Sequence, residues 1–262
     1  MHGGSSEDVT IQDRMDPARA NALFATLGQV GKVNSGDALP PFFHQIYFWQ
    51  PLPPVALGPD GHPALGHFVP DLGLPNRMWA GGHLKFHADL HAGISAEKTS
   101  RVEKVEKKTG RTGPLAFVSI RHTIRQRGAL VVSERQDLVY RGHGPAGRPP
   151  VTALAPEVRR EVTFNATMLF RYSALTFNGH RIHYDIDYCR EAEGYPGLVV
   201  HGPLLAQNLM LVAAERLGTL TEFKFRATAP LFHFESATLC MRGNDLWVVG
   251  PDGRICMQAE AR

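Results

Sequence analysis

The chain has 262 residues, 43% of them hydrophobic and 20% charged, and a formal net charge of +3. That profile excludes a disordered or fibrous chain, and the length is ample for a buried core. The mild positive excess forms no concentrated basic stripe, so nucleic acid is not the expected partner. No window is apolar for long enough to span a bilayer. The cysteines, Cys189, Cys240 and Cys256, are far apart and odd in number, which fits neither a disulfide framework nor metal-ligand spacing. The first residues lack a basic-then-apolar leader pattern. A soluble, cytoplasmic protein is the expectation.

The first predicted element is a helix opened by Asp16-Pro17, with Ala20, Leu23, Phe24 and Leu27 on one face and Gly28 as its stop. A short helix is expected after Pro40-Pro41, through Phe42, Phe43, Ile46, Tyr47 and Trp49. Residues 51–76 are rich in Pro and Gly; a connection of that length inside a compact domain is usually functional or a sign of a missed element, and a wall or lid is the expectation here. From Gly82 the pattern alternates: His83, Lys85, His87, Asp89 and His91 against Leu84, Phe86, Ala88 and Leu90, which predicts a half-buried strand. Strands at 100–108, 115–127 and 129–140 follow, with turn signals at Thr109-Gly110 and Arg127-Gly128.

Residues 142–156 read as a linker. Strand character is expected again over 161–168, where Val162, Phe164 and Ala166 alternate with polar residues. A polar turn, Asn178 to Arg181, comes next. A long, apolar, buried helix then runs from Gly202 to about Leu217, with Pro203 in its first turn and Gly218 at its end. Four strands close the chain, at 223–231, 236–242, 246–249 and 255–261. Leu84-Lys85-Phe86-His87-Ala88 echoes Phe223-Lys224-Phe225-Arg226-Ala227, and each opens a strand series. The reading is an α+β chain built as a double hot-dog: two antiparallel sheets, with the long helix buried in the C-terminal half.

Chemistry concentrates between Arg171 and Leu205. His183 lies between polar flanks, Arg181 and Asp185, and His201-Gly202-Pro203 opens the long helix. Unpaired N–H groups at a helix start carry partial positive charge and can hold a developing oxyanion. His83, His87 and His91 would share a helix face. On a strand they spread over roughly 26 Å, too far to hold one ion, so no metal site is expected. Gly81-Gly82 marks a bulge or close packing, not a phosphate loop. No Ser-centred nucleophile elbow is present.

The segments RYSALTFNGHRIHYD and YPGLVVHGPL resemble the MaoC-like enoyl-thioester hydratases and dehydratases. LPPFFHQIYF, GPDGHPALGHFVP and LPNRMWAGGHLKF resemble the same group's FAS1-like dehydratase domain. The resemblance covers most of the chain from about Asp16. It implies a hydro-lyase that adds water reversibly to the C=C of a short enoyl-CoA, with no cofactor beyond the CoA of the substrate. It implies an N-terminal non-catalytic hot-dog (1–142), a linker (143–157) and a catalytic hot-dog (158–262). It makes His183 the base and Gly202 the donor to the thioester oxygen. Asn178 stands where the family carries Asp; an amide takes no proton, but it can orient water or the thioester.

Arg171, His180 and Arg181, with Asp185 and His201, are the expected substrate-binding residues. The positive charge of Arg171, His180 and Arg181 suggests an acyl group ending in a carboxylate, such as mesaconyl-C4-CoA or itaconyl-CoA; the alternative is that Arg171 and Arg181 bind CoA phosphate or a neighbouring helix end. An acyl-CoA thioester is the expected partner, and a homodimer a further expectation. Three other readings remain open: a 3-hydroxyacyl-thioester dehydratase acting on CoA or an acyl carrier protein, a hot-dog thioesterase working through Asp185 or Asp187, and a non-catalytic acyl-thioester binding module.

Overall fold

The computed structural model describes residues 7–66, 68–110, 113–142 and 155–262. Most of the 143–157 linker, like the tip after Thr109-Gly110, lies outside the described residues. Strand β1 (Val9–Asp13) leads into helix α1 (Pro17–Thr26), whose first turn is closed by the Asp16 carboxylate accepting from the Ala18 N–H. Gly28 follows at φ +66°. The helix expected after Pro41 is only a single 3₁₀ turn, Phe43–Ile46, because Phe42 sits in the left-handed region at φ +70° and Tyr47 is already extended. A second short turn, Pro54–Ala56, falls within the Pro/Gly-rich stretch.

The long strands β2 (Asn76–Phe86), β3 (Ala96–Gly110), β4 (Gly113–Gln126) and β5 (Ala129–Arg141) form the N-terminal half of the sheet. β4 turns into β5 through Arg127 and Gly128, both at positive φ, which is the tight hairpin turn that matches strand twist. β2 begins earlier than its alternation suggested and ends at Phe86, so His87 and His91 lie beyond it. His83 meets Glu222 and His87 meets Ser133, and the three histidines share no ion site.

In the C-terminal half, β6 (Val158–Thr163) stops short of the expected strand. Asn165 accepts from the Met168 N–H and starts helix α2 (Ala166–Thr176). Helix α3 (Ile186–Glu191) and the long helix α4 (Gly202–Leu217) follow. The chain ends in β7 (Glu222–Ala227), β8 (Ser236–Arg242), β9 (Asp245–Val249) and β10 (Ile255–Ala261). β7 ends four residues before the expected Leu231. Helix α4 packs on β7 to β10 and on β2. Leu204, Leu205, Leu209, Met210 and Val212 on it are all buried, each worth about 1.5–3 kcal/mol.

The two expected sheets are one. The order β1-β3-β4-β5-β2-β7-β10-β9-β8-β6 reads the same from either end when β1 to β5 are matched with β6 to β10. The junction is the antiparallel pair β2·β7, running from Gly81↔Arg226 to Lys85↔Glu222. Leu84 and Phe223, the residues that the sequence echo aligns, face each other there and are fully buried. The glycine pair beside them is needed for contact. A Cβ on Gly81 would lie 2.5 Å from the Phe225 carbonyl oxygen, and one on Gly82 2.6 Å from the Phe225 ring. A shift of register between Trp79 and Gly81 marks the bulge. This is the double hot-dog arrangement with one difference between halves: among the described residues, only the C-terminal half carries a long helix.

Candidate active site

The site starts where α2 ends. Phe177 closes the helix at φ +52°, and the Asn178 N–H returns to the Ser173 carbonyl. The Asn178 side-chain oxygen accepts from the His180 N–H at 3.0 Å, which folds residues 178–180 into a tight turn. Gly179 packs against Gly61 so closely that a Cβ on Gly61 would lie 2.0 Å from the Gly179 oxygen. The Arg181 N–H donates to the Asp60 carbonyl at 2.9 Å. Loop 58–62 is thereby fastened to the turn, and His62 comes to lie 4.5 Å from His180 between ring centroids.

His183 ends a 3₁₀ turn and is 7% exposed. Its Nδ1 lies 2.7 Å from the Val199 carbonyl oxygen, a pure acceptor, so Nδ1 carries the proton and Nε2 the lone pair. Burial pushes its pKa down to about 4, against the opposing Val199 bond. His183 is thus a neutral imidazole with its basic nitrogen free. His201 stacks on it at 3.6 Å, and the His201 Nε2 bonds the Ser173 hydroxyl at 2.8 Å. Burial, then the charges of His183 and Arg77, bring His180 to about 2; burial also holds His62 and His201 well below the ordinary value.

Helix α4 points its start at this group. Pro203 has no N–H, and the Leu204 and Leu205 N–H groups both go to the His201 carbonyl. That leaves the Gly202 N–H as the open donor of the first turn, with no side chain capping it. His183, His180, Asn178 and Gly202 line one cavity of about 160 Å³, walled by Trp79, Leu138, Val200 and Leu205. That is below the roughly 300–1,000 Å³ of drug-sized sites and suits a short acyl group. A neighbouring cavity of about 720 Å³ opens under the N-terminal half. His62, Arg77 and Gln136 line both.

Four expected substrate contacts fall elsewhere. Arg171 is exposed on α2 and lines neither cavity. Arg181 is a clamp: it pairs with Asp185 at 2.8 Å, donates to the Pro59 carbonyl and lies over the Tyr188 ring. Asp185 caps α3 by accepting from the Tyr188 N–H, and the Tyr188 N–H and Arg181 together hold its carboxyl below the usual range. His201 is fully buried behind His183 and outside the cavity lining. Sequence reasoning missed the N-terminal contributors, His62, Arg77 and Gln136. Two of them sit in the very segments, GPDGHPALGHFVP and LPNRMWAGGHLKF, that carried the family resemblance.

Asp60, His62 and His180 bring possible metal-ligand atoms within 4.8 Å of one another. The Asp60 carboxylate already accepts from the His62 N–H at 3.0 Å. Among the described residues no helix is long and apolar enough to cross a membrane.

Known proteins align with this architecture. A protein named mesaconyl-C(4)-CoA hydratase, from Chloroflexus aurantiacus, is 41% identical over 95% of this chain and 92% of its own length. The structure of HtdX from Mycobacterium tuberculosis superposes with a TM-score of 0.70 at 17% identity, over 98% of this chain and 99% of that one. Another M. tuberculosis protein, described as having a double hotdog fold, superposes with a TM-score of 0.62 at 12% identity, over 98% and 95% of the two chains. These two likenesses concern the fold. Residues 42–233 match the profile of Htd2, hydroxyacyl-thioester dehydratase type 2, and the chain belongs to that family of hydratases and dehydratases.

Proposed function

We propose that the protein reversibly hydrates the C=C of a short enoyl-CoA with a dicarboxylic acyl group, mesaconyl-C4-CoA being the substrate its relative's name suggests. The observation that carries the reaction is the free Nε2 of a buried, neutral His183 in one small cavity with the Gly202 N–H. Water is held between Nε2 and the Asn178 amide. As its oxygen attacks the β-carbon, Nε2 takes the proton and the electron pair moves to the thioester oxygen. The Gly202 N–H and the positive end of α4 stabilise that enolate; one such donor is worth roughly 3–4 kcal/mol of barrier. The imidazolium then returns its proton to the α-carbon.

The reading is supported by the 41% identity to the C. aurantiacus protein and by the small size of the cavity. The same chemistry run backwards is dehydration of a 3-hydroxyacyl thioester, the second reading, which the family profile favours. Incubation with mesaconyl-C4-CoA tests the proposal. Loss of the enoyl absorbance without free thiol is expected. Thiol release would mark a thioesterase, and no change in either signal a binding module.

A further inference from the structure

Arg77 projects from β2 into the junction of the two cavities. Among the described residues, no carboxylate lies within ion-pair distance of it, and no hydrogen bond holds its guanidinium. Ligand pockets are lined mostly by apolar side chains with a few placed polar or charged groups that fix orientation and give specificity, and Arg77 is such a group here. Two buried polar atoms flank it without partners: the His180 Nε2 from one cavity and the Tyr140 hydroxyl from the other. Tyr140 pairs with Arg77 across β2 and β5. Burial raises the phenol's pKa, so it keeps its proton and can donate.

A buried orphan costs free energy unless a ligand satisfies it. A guanidinium with a phenol and an imidazole beside it fits an anion with several acceptor oxygens. The CoA phosphates do not fit here. The His180 ring lies 5.5 Å from that of His183, and the full pantetheine arm separates those phosphates from the thioester at which His183 works. The anion must therefore belong to the acyl group.

We infer that Arg77, with Tyr140 and His180, forms the subsite for the free carboxylate of a dicarboxylic acyl thioester. This rests on the hydratase reading above and assigns the recognition that the sequence had placed on Arg171 and Arg181. The subsite also explains why the polar contributors of the N-terminal half face a site whose reacting groups all come from the C-terminal half.

The test is the ratio of kcat/KM for mesaconyl-C4-CoA to that for crotonyl-CoA, which has the enoyl thioester but no carboxylate. Arg77→Met should lower the ratio roughly 30-fold or more, the usual effect of removing one partner of a desolvated charge pair. Arg77→Lys should fall between the parent and Arg77→Met. Tyr140→Phe should lower the ratio by a smaller factor. Inhibition by succinyl-CoA should weaken in Arg77→Met far more than inhibition by butyryl-CoA. Equal losses on both thioesters would assign Arg77 to the CoA or to structure and overturn the inference, as would an unchanged ratio. A parent enzyme that hydrates neither thioester overturns the hydratase reading itself and the subsite with it.

Discussion

The rings of His183 and His201 lie face to face, 3.6 Å apart and inclined by only 19°. Two neutral imidazoles stack well in a buried site; adding a proton to either places a cation among groups that cannot solvate it. The stack keeps His183 neutral, with its Nε2 lone pair available, and makes its protonated form short-lived. His183→Ala should therefore lower kcat roughly 10²–10⁴-fold, the span of general-base catalysis, with an unchanged far-ultraviolet circular dichroism spectrum. Near-full turnover in a folded His183→Ala protein would remove His183 from the mechanism.

The pH profile follows from the same burial. His183 titrates at about 4, below its ordinary 6.5. The acid limb of kcat/KM should fall near pH 4, read from initial rates after brief exposure. Between those values the unfolded chain binds a proton that the folded one does not, so stability rises with pH across this window and is lost as pH drops through it. His62, His180 and His201 are shifted in the same direction and add to the effect. Each contributes a slope of at most about 1.4 kcal/mol per pH unit. Melting temperature should decline steadily below pH 6.5. An acid limb near 6.5 would mean an exposed, ordinary base.

Asn178 has two tasks that substitution separates. Its oxygen holds the His180 N–H, and its amide nitrogen is left for water or thioester. Asn178→Asp keeps the acceptor and should stay active. Asn178→Ala loses both and should lower kcat by about tenfold or more, since one hydrogen bond and one turn are removed together. An Asn178→Ala enzyme indistinguishable from the parent would make the position structural only.

The N-terminal half has its own buried polar centre. Glu134 and His44 are 2% and 4% exposed and lie 2.9 Å apart, with the Gln45 amide donating to the same carboxylate. Burial pushes the Glu134 carboxyl up, but the His44 hydrogen bond and the charges of His44, His122 and Lys98 bring it below its usual value. His44→Ala strands that charge and should cost about 3–5 kcal/mol, measured by urea unfolding. Replacing both residues with apolar ones should cost less than His44→Ala alone. The reverse order would show that the pair is net stabilising.

Residues 158–262 expressed alone expose the β7 edge that β2 covers. An open, apolar edge invites pairing with other chains, so this fragment should aggregate and show no hydratase activity. Mixing with residues 1–142 should restore solubility. A stable, fully active monomer of 158–262 would give the N-terminal half another purpose.

What was legible in the sequence follows physical rules. Helix α4 was readable because Pro203 and Gly218 punctuate a long apolar run, and the β4–β5 turn because Arg127-Gly128 suits positive φ. Helix α2 was hidden: Val162, Phe164 and Ala166 alternate straight across the Asn165 cap, so a strand's period masked a helix start. The end of β2 was hidden the same way by His87 to His91. At the site, His183, Asn178 and Gly202 came from the motif and share one cavity. Arg181 and Asp185 were misassigned, though their spacing of four signals that they pair with each other. Arg77 could not be found by proximity in sequence, because β2 reaches the site only through the β2·β7 junction.

The mirrored strand order has a consequence for how this groove can change. In a symmetric pair of identical chains, every substitution is made twice, and each wall of the binding cleft must also serve as the opposite wall. Here the two walls have separate codons. A substitution at Arg77 or Tyr140 alters one wall of the cleft with no second copy of the change falling beside His183. Among the described residues the long helix lies in one half alone, which makes the cleft asymmetric where a symmetric pair would have two copies of a compromise.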